Sequence, residues 1–314
     1  MDPDDIPGLS EFLAGGGVTS YLPTTNTAPQ ETIVRAAEAI GRGIKGGGAG
    51  AIPLGIHMEG PYIGPEMCGA QNTDYIRPPD IDEIAEVYEA SGENLRVVTL
   101  APELEGGLEV IEWLASKGAV PAAGHTNATH DEIICAIEAG LSHASHLFNR
   151  MTSFHHSKPG LVGAMLADDR VSVELVADGF HLHPATLKIA SKLKGPGKTA
   201  LISDSIPATG LPEGEYDFGG RRITASGGRS LLESGHLAGS TITLSDAVRN
   251  MVHLAGASVR EAVEMASTTP ARIAGASSRK GRLAEEMDAD ITILNENLSP
   301  VLTMVAGEIV HRRT

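Results

Sequence analysis

"LRVVTLAPELEGGLEVIEWLASKGAVPAAGHT" runs from Leu95 to Thr126 and reads as strand, helix, strand. "LRVVTLAPE" (95–103) opens with a β-rich apolar run, and the pattern after it predicts a helix over 105–117. "AVPAAGHT" (119–126) is a second short apolar run, closed by a histidine. Strand, helix and strand at this spacing make a parallel βαβ unit.

The same alternation continues in both directions. "VTSYLPT" (18–24) precedes a helix predicted over 29–44, and "AIPLGIHME" (51–59) precedes a loop and a helix over 80–91. "AVPAAGHT" leads to a helix over 129–139, and "LSHASHLFN" (141–149), "VSVELVADG" (171–179) and "TALISDS" (199–205) continue the series. "KGGGAG" (45–50) reads as a loop between helix and strand. Thr24, Glu59, Glu103, His125, His146, Asp178 and Asp204 are each expected at the carboxyl end of a strand. Polar groups at seven strand ends favour a (β/α)8 barrel, whose active site lies on that face. An open doubly wound sheet would gather them at one switch point. Beyond Asp204, "YDFGGRRITA" (216–225) reads as a β-hairpin insertion, followed by helices over 241–255 and 258–267. "DADITILNE" (288–296) and "VLTMVAGEIV" (301–310) read as strands of a small β-domain outside the barrel.

Composition narrows the partners. The chain has 314 residues and a formal net charge of −16, from 24 basic and 40 acidic residues, which disfavours nucleic acid and anionic membranes. A pocket can still oppose that sign locally for a small anion. No apolar run approaches the length of a membrane span, and "MDPDDIPGLS" lacks the basic and apolar parts of a secretory signal. Cys68 and Cys135 form neither a CxxC pair nor a disulfide framework. A cytoplasmic location is expected.

Three sets of residues carry chemistry. Glu59, His125 and His146 offer a carboxylate and two imidazoles, a donor set suited to Zn²⁺ with a position open for water. The plainer alternatives are a hydrogen-bonded loop carboxylate and interior histidines. His143 competes with His146 within "SHASH", but strand alternation puts it on a different layer or face. Asp204 in "LISDS" is placed to take a proton from a metal-activated water and return it to a leaving amine; an N-cap is the alternative. His181 in "DGFH" (178–181) could polarise a carbonyl, or be a surface histidine after an Asp-Gly turn. "FHHSKPG" (154–160) puts His155, His156 and Lys158 together, as phosphate or metal ligands or as ordinary exposed loop residues. "LAGSTITLSDAV" (237–248) could cradle a ligand on its amides, or simply cap a helix.

Taken in order, "HMEGPYI", "GAQN" (69–72), "TLAPE", "AGHTNAT", "HLFNRM", "ADGFH", "LISDS", "ATGLPEGEY" and "LAGSTITL" resemble the N-acetylglucosamine-6-phosphate deacetylase family of the amidohydrolase superfamily. The likeness covers nearly the whole chain. It implies a (β/α)8 barrel over 1–280, a remnant of a small β-domain over 281–314, and a homodimer. It implies hydrolysis of the acetamide of N-acetylglucosamine 6-phosphate to glucosamine 6-phosphate and acetate. The family's metal ligands fall on Glu59, His125 and His146, for one divalent ion: Zn²⁺, with Fe²⁺, Co²⁺ or Mn²⁺ as alternatives. Its catalytic aspartate falls on Asp204 and its carbonyl-polarising histidine on His181. Substrate contacts fall on Ala70, Gln71, Asn149, Arg150, Leu237, Ala238 and Gly239.

Three departures stand out. The family's first barrel strand, with its HxH or QxN pair, has no counterpart, so seven strands are expected, together with a truncated chain or a misplaced start at Met1. Ser157 stands where many members carry a phosphate-reaching arginine, with Lys158 or His156 as substitutes. Arg150 stands where a small residue is usual, and its guanidinium is a candidate for the missing phosphate charge. The competing readings are another metal-dependent N-acyl amidohydrolase and an inactive sugar-phosphate-binding homologue.

Overall fold

The structure, a computed structural model, describes residues 5–46 and 49–313. The Met1 start and positions 47 and 48 of the Gly-rich 45–50 link lie outside the described residues.

Seven strands form one all-parallel sheet: β1 (Thr24–Thr25), β2 (Ile56–Glu59), β3 (Leu95–Leu100), β4 (Val120–Ala123), β5 (His143–Ala144), β6 (Ser172–Val176) and β7 (Thr199–Ile202). Their order in the sheet is their order in the chain, so there is no switch point and the doubly wound alternative falls. Among the described residues β1 and β7 are not paired with each other, which leaves the sheet open on that side. All five residues of β6 are buried, as expected of a parallel strand covered on both faces. Ile56, Met58, Val98 and Leu100 are fully buried with the helices that pack around them.

Several helices begin at side-chain caps. Asp80 accepts from Asp82 N and Glu83 N to start Ile81–Ala90. Thr129 with Glu132 makes a capping box for His130–Glu138, and Ser258 with Glu261 does so for Val259–Ala266. Each expected helix is present within a few residues of its place; the 241–255 helix divides into Leu244–Asn250 and a π-turn over Met251–Ala255.

Four local expectations are corrected. The run at 18–24 is two short pieces, Ser20–Tyr21 and Thr24–Thr25, and Pro23 between them has no N–H to give a ladder. Thr24 therefore opens β1 instead of ending it. Only His143–Ala144 of 141–149 is strand, because the chain leaves it through residues with positive φ. The 216–225 hairpin is three-stranded: β8 (Gly214–Phe218), β9 (Arg221–Ser226) and β10 (Arg229–Leu232) pair antiparallel.

β11 (Ile291–Leu294), β12 (Pro300–Val305) and β13 (Glu308–Arg312) form a separate antiparallel sheet. Thr303 Oγ1 donates to Ala14 O and Thr292 Oγ1 to Gly17 O, each at 2.7 Å, tying this sheet to the N-terminal helix Asp5–Gly15 and its exit.

Candidate metal centre and active site

Glu59 ends β2, and His125 and His146 lie just beyond β4 and β5. Parallel pairing of neighbouring strands brings these ends together. His146 Nε2 is 2.9 Å from Glu59 Oε1, His125 Nε2 is 3.3 Å from the same oxygen, and the two Nε2 atoms are 3.1 Å apart. Neighbouring donors around a tetrahedral Zn²⁺ stand about 3.3 Å apart. His125 Nδ1 lies 2.7 Å from Met67 O, a carbonyl that can only accept, so that nitrogen carries the proton and Nε2 turns a lone pair toward the centre. Gln71 Nε2 donates to Glu59 Oε2 at 2.9 Å, while Thr27 N donates to Gln71 Oε1 at 2.8 Å. This donor set fits a divalent cation. His146 Nδ1 is buried with no protein partner.

His125, His146 and Asp204 have φ of 51°, 30° and 50°, conformations that residues with a Cβ seldom adopt. The surrounding hydrogen bonds hold them there. Glu174 Oε2 accepts from His146 N at 3.2 Å, and Ser240 N donates to Asp204 O at 2.8 Å. Glu174 also meets His143 Nε2 at 3.1 Å, and His143 Nδ1 meets Ser172 Oγ at 2.8 Å. His143 is thus engaged inside the sheet, away from the donor triad.

Electrostatics follow the packing. Burial works against the charged form of Glu59, yet hydrogen bonds from His125 and His146 hold its carboxyl well below the usual range. Burial opposes the charged form of His146 too, but Glu59 prevails and raises its pKa to about 9. Burial pushes the Asp204 carboxyl up, with Glu59 adding to that and His146 and His181 opposing it.

His181 Nδ1 is 2.6 Å from Asp178 Oδ2, which also accepts from Ser240 Oγ at 3.0 Å. Asp178 Oδ1 accepts the backbone N–H groups of Phe180 and His181, each at 2.8 Å. The carboxylate is saturated and fixes the ring, leaving Nε2 for a ligand. The three-stranded insertion closes over these loops: Arg221 donates to Gln71 O at 3.3 Å, and the Arg229 guanidinium stacks 4.4 Å over the Phe180 ring.

A cavity of about 1820 Å³ joins Glu59, His125, His146, His181 and Asp204. It exceeds the usual 300–1,000 Å³ of a small-molecule site, because it continues into the opening between β1 and β7, past Thr24 and Ile202. Ala70, Gln71, Asn149, Arg150, Leu237 and Gly239 also line it. Ala238 is fully buried in the core of the insertion, and its N–H donates to Ser230 O. The Asn149 amide donates to His146 O and Leu147 O, so it shapes its own loop. Glu103 is engaged by Thr126 Oγ1 and Asn127 N, and His155, His156 and Lys158 are exposed. Met67 O and the anchoring roles of Glu174, Gln71 and Ser240 were not read from the sequence. Glu174 alone left a trace there, as the one charge within the apolar run "VSVELV".

The sequence profile of the amidohydrolase family matches residues 6–310. The chain belongs to that family. It is a metal-dependent amide hydrolase. It is 39% identical over 307 residues to N-acetylgalactosamine-6-phosphate deacetylase of Escherichia coli O157:H7, covering 98% of this chain and 81% of that one. It is 37% identical over 304 residues to N-acetylglucosamine-6-phosphate deacetylase of Bacillus subtilis (strain 168), covering 96% and 77%. The solved N-acetyl-D-glucosamine-6-phosphate deacetylase of Mycobacterium smegmatis, in complex with N-acetyl-D-glucosamine-6-phosphate, superposes with a TM-score of 0.93 at 34% identity, over 98% of this chain and 80% of that one. Within the family, the chain therefore groups with amino-sugar-phosphate deacetylases. No helix among the described residues is long and apolar enough to cross a membrane.

Proposed function

We infer that the protein hydrolyses the acetamide of N-acetylglucosamine 6-phosphate, releasing acetate and glucosamine 6-phosphate. The observation that carries this reading is the convergence of Glu59, His125 and His146 in one cavity with Asp204 and His181. The names of relatives 34–39% identical supply the substrate class.

Glu59, His125 and His146 would hold one divalent cation, Zn²⁺ by donor type. When bound, the cation supplies Lewis acidity that acidifies a water and polarises a carbonyl. Asp204 accepts the proton of the attacking water on its carboxylate and delivers it to the departing amine. Burial favours its protonated form, which suits the second of those steps. His181, with Nδ1 committed to Asp178, donates from Nε2 to the acetyl carbonyl oxygen when the ring carries both protons. Ser240 couples the two catalytic groups, through its hydroxyl on Asp178 and its amide on the Asp204 carbonyl.

The sheet is read as seven strands of a (β/α)8 barrel, with residues 1–280 as the barrel portion and 281–314 as part of a small β-domain. Chain-order winding and the open side between β1 and β7 support this. A cytoplasmic homodimer completes the proposal, testable by fractionation and light scattering.

The test is acetate release from N-acetylglucosamine 6-phosphate by the metal-loaded chain and by Asp204→Asn. Turnover that vanishes in the variant is expected. Turnover that survives it would sink the role of Asp204, and none from metal-loaded, folded protein would sink the activity. The E. coli relative favours a second substrate, the galactosamine epimer, so the same assay is run with N-acetylgalactosamine 6-phosphate.

A further inference from the structure

The proposed substrate is a phosphate monoester, while the chain carries a net charge of −16. A site for that anion needs a local cation. Arg150 follows His146 by four residues and lines the same cavity. Its backbone is left-handed, with φ 52°, and its carbonyl is pinned by Thr126 N at 3.1 Å. The side chain lies across Gly69: a β-carbon at position 69 would fall 3.0 Å from Arg150 Nε and 3.1 Å from Cγ. Glycine is thus the residue that lets the arginine stem pass, and it borders the Ala70-Gln71 wall of the cavity. Among the described residues the Arg150 guanidinium has no hydrogen bond and no ion pair. Five N–H donors on a residue held at positive φ, in the cavity of the candidate metal ligands and without a protein partner, suit an anion.

Arg260 and Arg282 also line the cavity but are exposed, whereas Arg150 is half-buried. Lys158 and His156 are exposed and do not line the cavity. Arg221 is engaged by the carbonyl of Gln71, and Lys280 is paired with Asp288 and Asp290.

We propose that Arg150 forms an anion subsite in the cavity of the candidate metal ligands and takes the phosphate monoester of the sugar substrate. The assignment rests on the deacetylase reading for the identity of the sugar, but not for the subsite itself. A planar fork matches two phosphate oxygens, and holding that end of the sugar positions its acetamide toward Asp204.

The experiment compares wild type, Arg150→Ala, Arg150→Gln and Lys158→Ala, each metal-loaded and checked for unchanged thermal unfolding. Acetate release is measured with N-acetylglucosamine 6-phosphate and with unphosphorylated N-acetylglucosamine. Both Arg150 variants are expected to raise KM for the phosphorylated sugar about 10- to 100-fold, the loss typical of a charge-assisted contact. They should leave kcat/KM for the unphosphorylated sugar within about threefold, and Lys158→Ala should match wild type on both. Equal losses on the two sugars, or no loss, overturn the proposal. Calorimetric binding of glucosamine 6-phosphate and of inorganic phosphate separates the two claims. Arg150-dependent phosphate binding without any acetate release would refute the deacetylase reading and keep the subsite. Phosphate binding that is unchanged in both variants would refute the subsite alone.

Discussion

In the proposed metal centre a cation and a proton would compete for one nitrogen. In the metal-free centre, His146 keeps its proton up to about pH 9, because the hydrogen bond and charge of Glu59 outweigh burial. Glu59 is ionised well below that. A cation needs the Nε2 lone pair of His146, which lies 2.9 Å from Glu59 Oε1 and holds the proton that points there. Binding must expel that proton. At pH 7 the centre is about two units below the pKa of His146, so the expulsion costs about 2.7 kcal/mol, or roughly 100-fold in apparent affinity. Affinity should therefore rise tenfold per pH unit up to about pH 9 and then level. Zinc titration by calorimetry at pH 7, in two buffers of different ionisation enthalpy, should report about one proton released per ion. Chelator competition across the same pH range gives the slope. The metal-free protein should behave in the opposite sense. The folded pKa of His146 lies above its ordinary 6.5, so the stability it contributes is complete below pH 6.5 and disappears as pH rises through about 9. Thermal unfolding of the metal-free form should fall over that window. Zinc affinity independent of pH, with no proton release, would refute the reasoning.

Three further outcomes are expected. Asp178→Asn turns an acceptor into a donor at His181 Nδ1, now 2.6 Å from Asp178 Oδ2, and so forces the other tautomer. The kcat should drop about 10- to 100-fold, somewhat less than for loss of an oxyanion donor; an unchanged kcat would contradict the assigned role. Gln71→Ala frees the Glu59 carboxylate, so zinc affinity should weaken about 10-fold or more, read by chelator competition, whereas unchanged affinity would show that Gln71 does not orient Glu59. Gly239→Ala places a β-carbon 2.2 Å from Ile206 Cγ2 and 2.9 Å from Asp204 O at a φ of 58°. It should destabilise by about 2–4 kcal/mol in denaturant unfolding, whereas Gly235→Ala, also at positive φ but with nothing within 4 Å, should cost only about 1 kcal/mol.

What the sequence by itself determined was local. Each strand is a short apolar run set between helical patterns, so alternation could be read element by element, and several helices carry their own cap, as at Thr129–Glu132. The donors were legible because Glu59, His125, His146 and Asp204 each close such a run. Their conformations were not: nothing local says that two histidines and an aspartate will sit at positive φ, and bonds from the distant Glu174 and Ser240 help to hold two of them there. The tertiary structure alone decided which groups meet. Strand register brings the Nε2 atoms of His125 and His146 to 3.1 Å, and a carbonyl 58 residues from His125 fixes its tautomer. It also set Gln71 against Glu59, buried Ala238, and kept His143 inside the sheet. Strand and helix are written in neighbouring residues. A metal centre is written in distances between residues far apart in the chain, and those exist only once the sheet has closed its register.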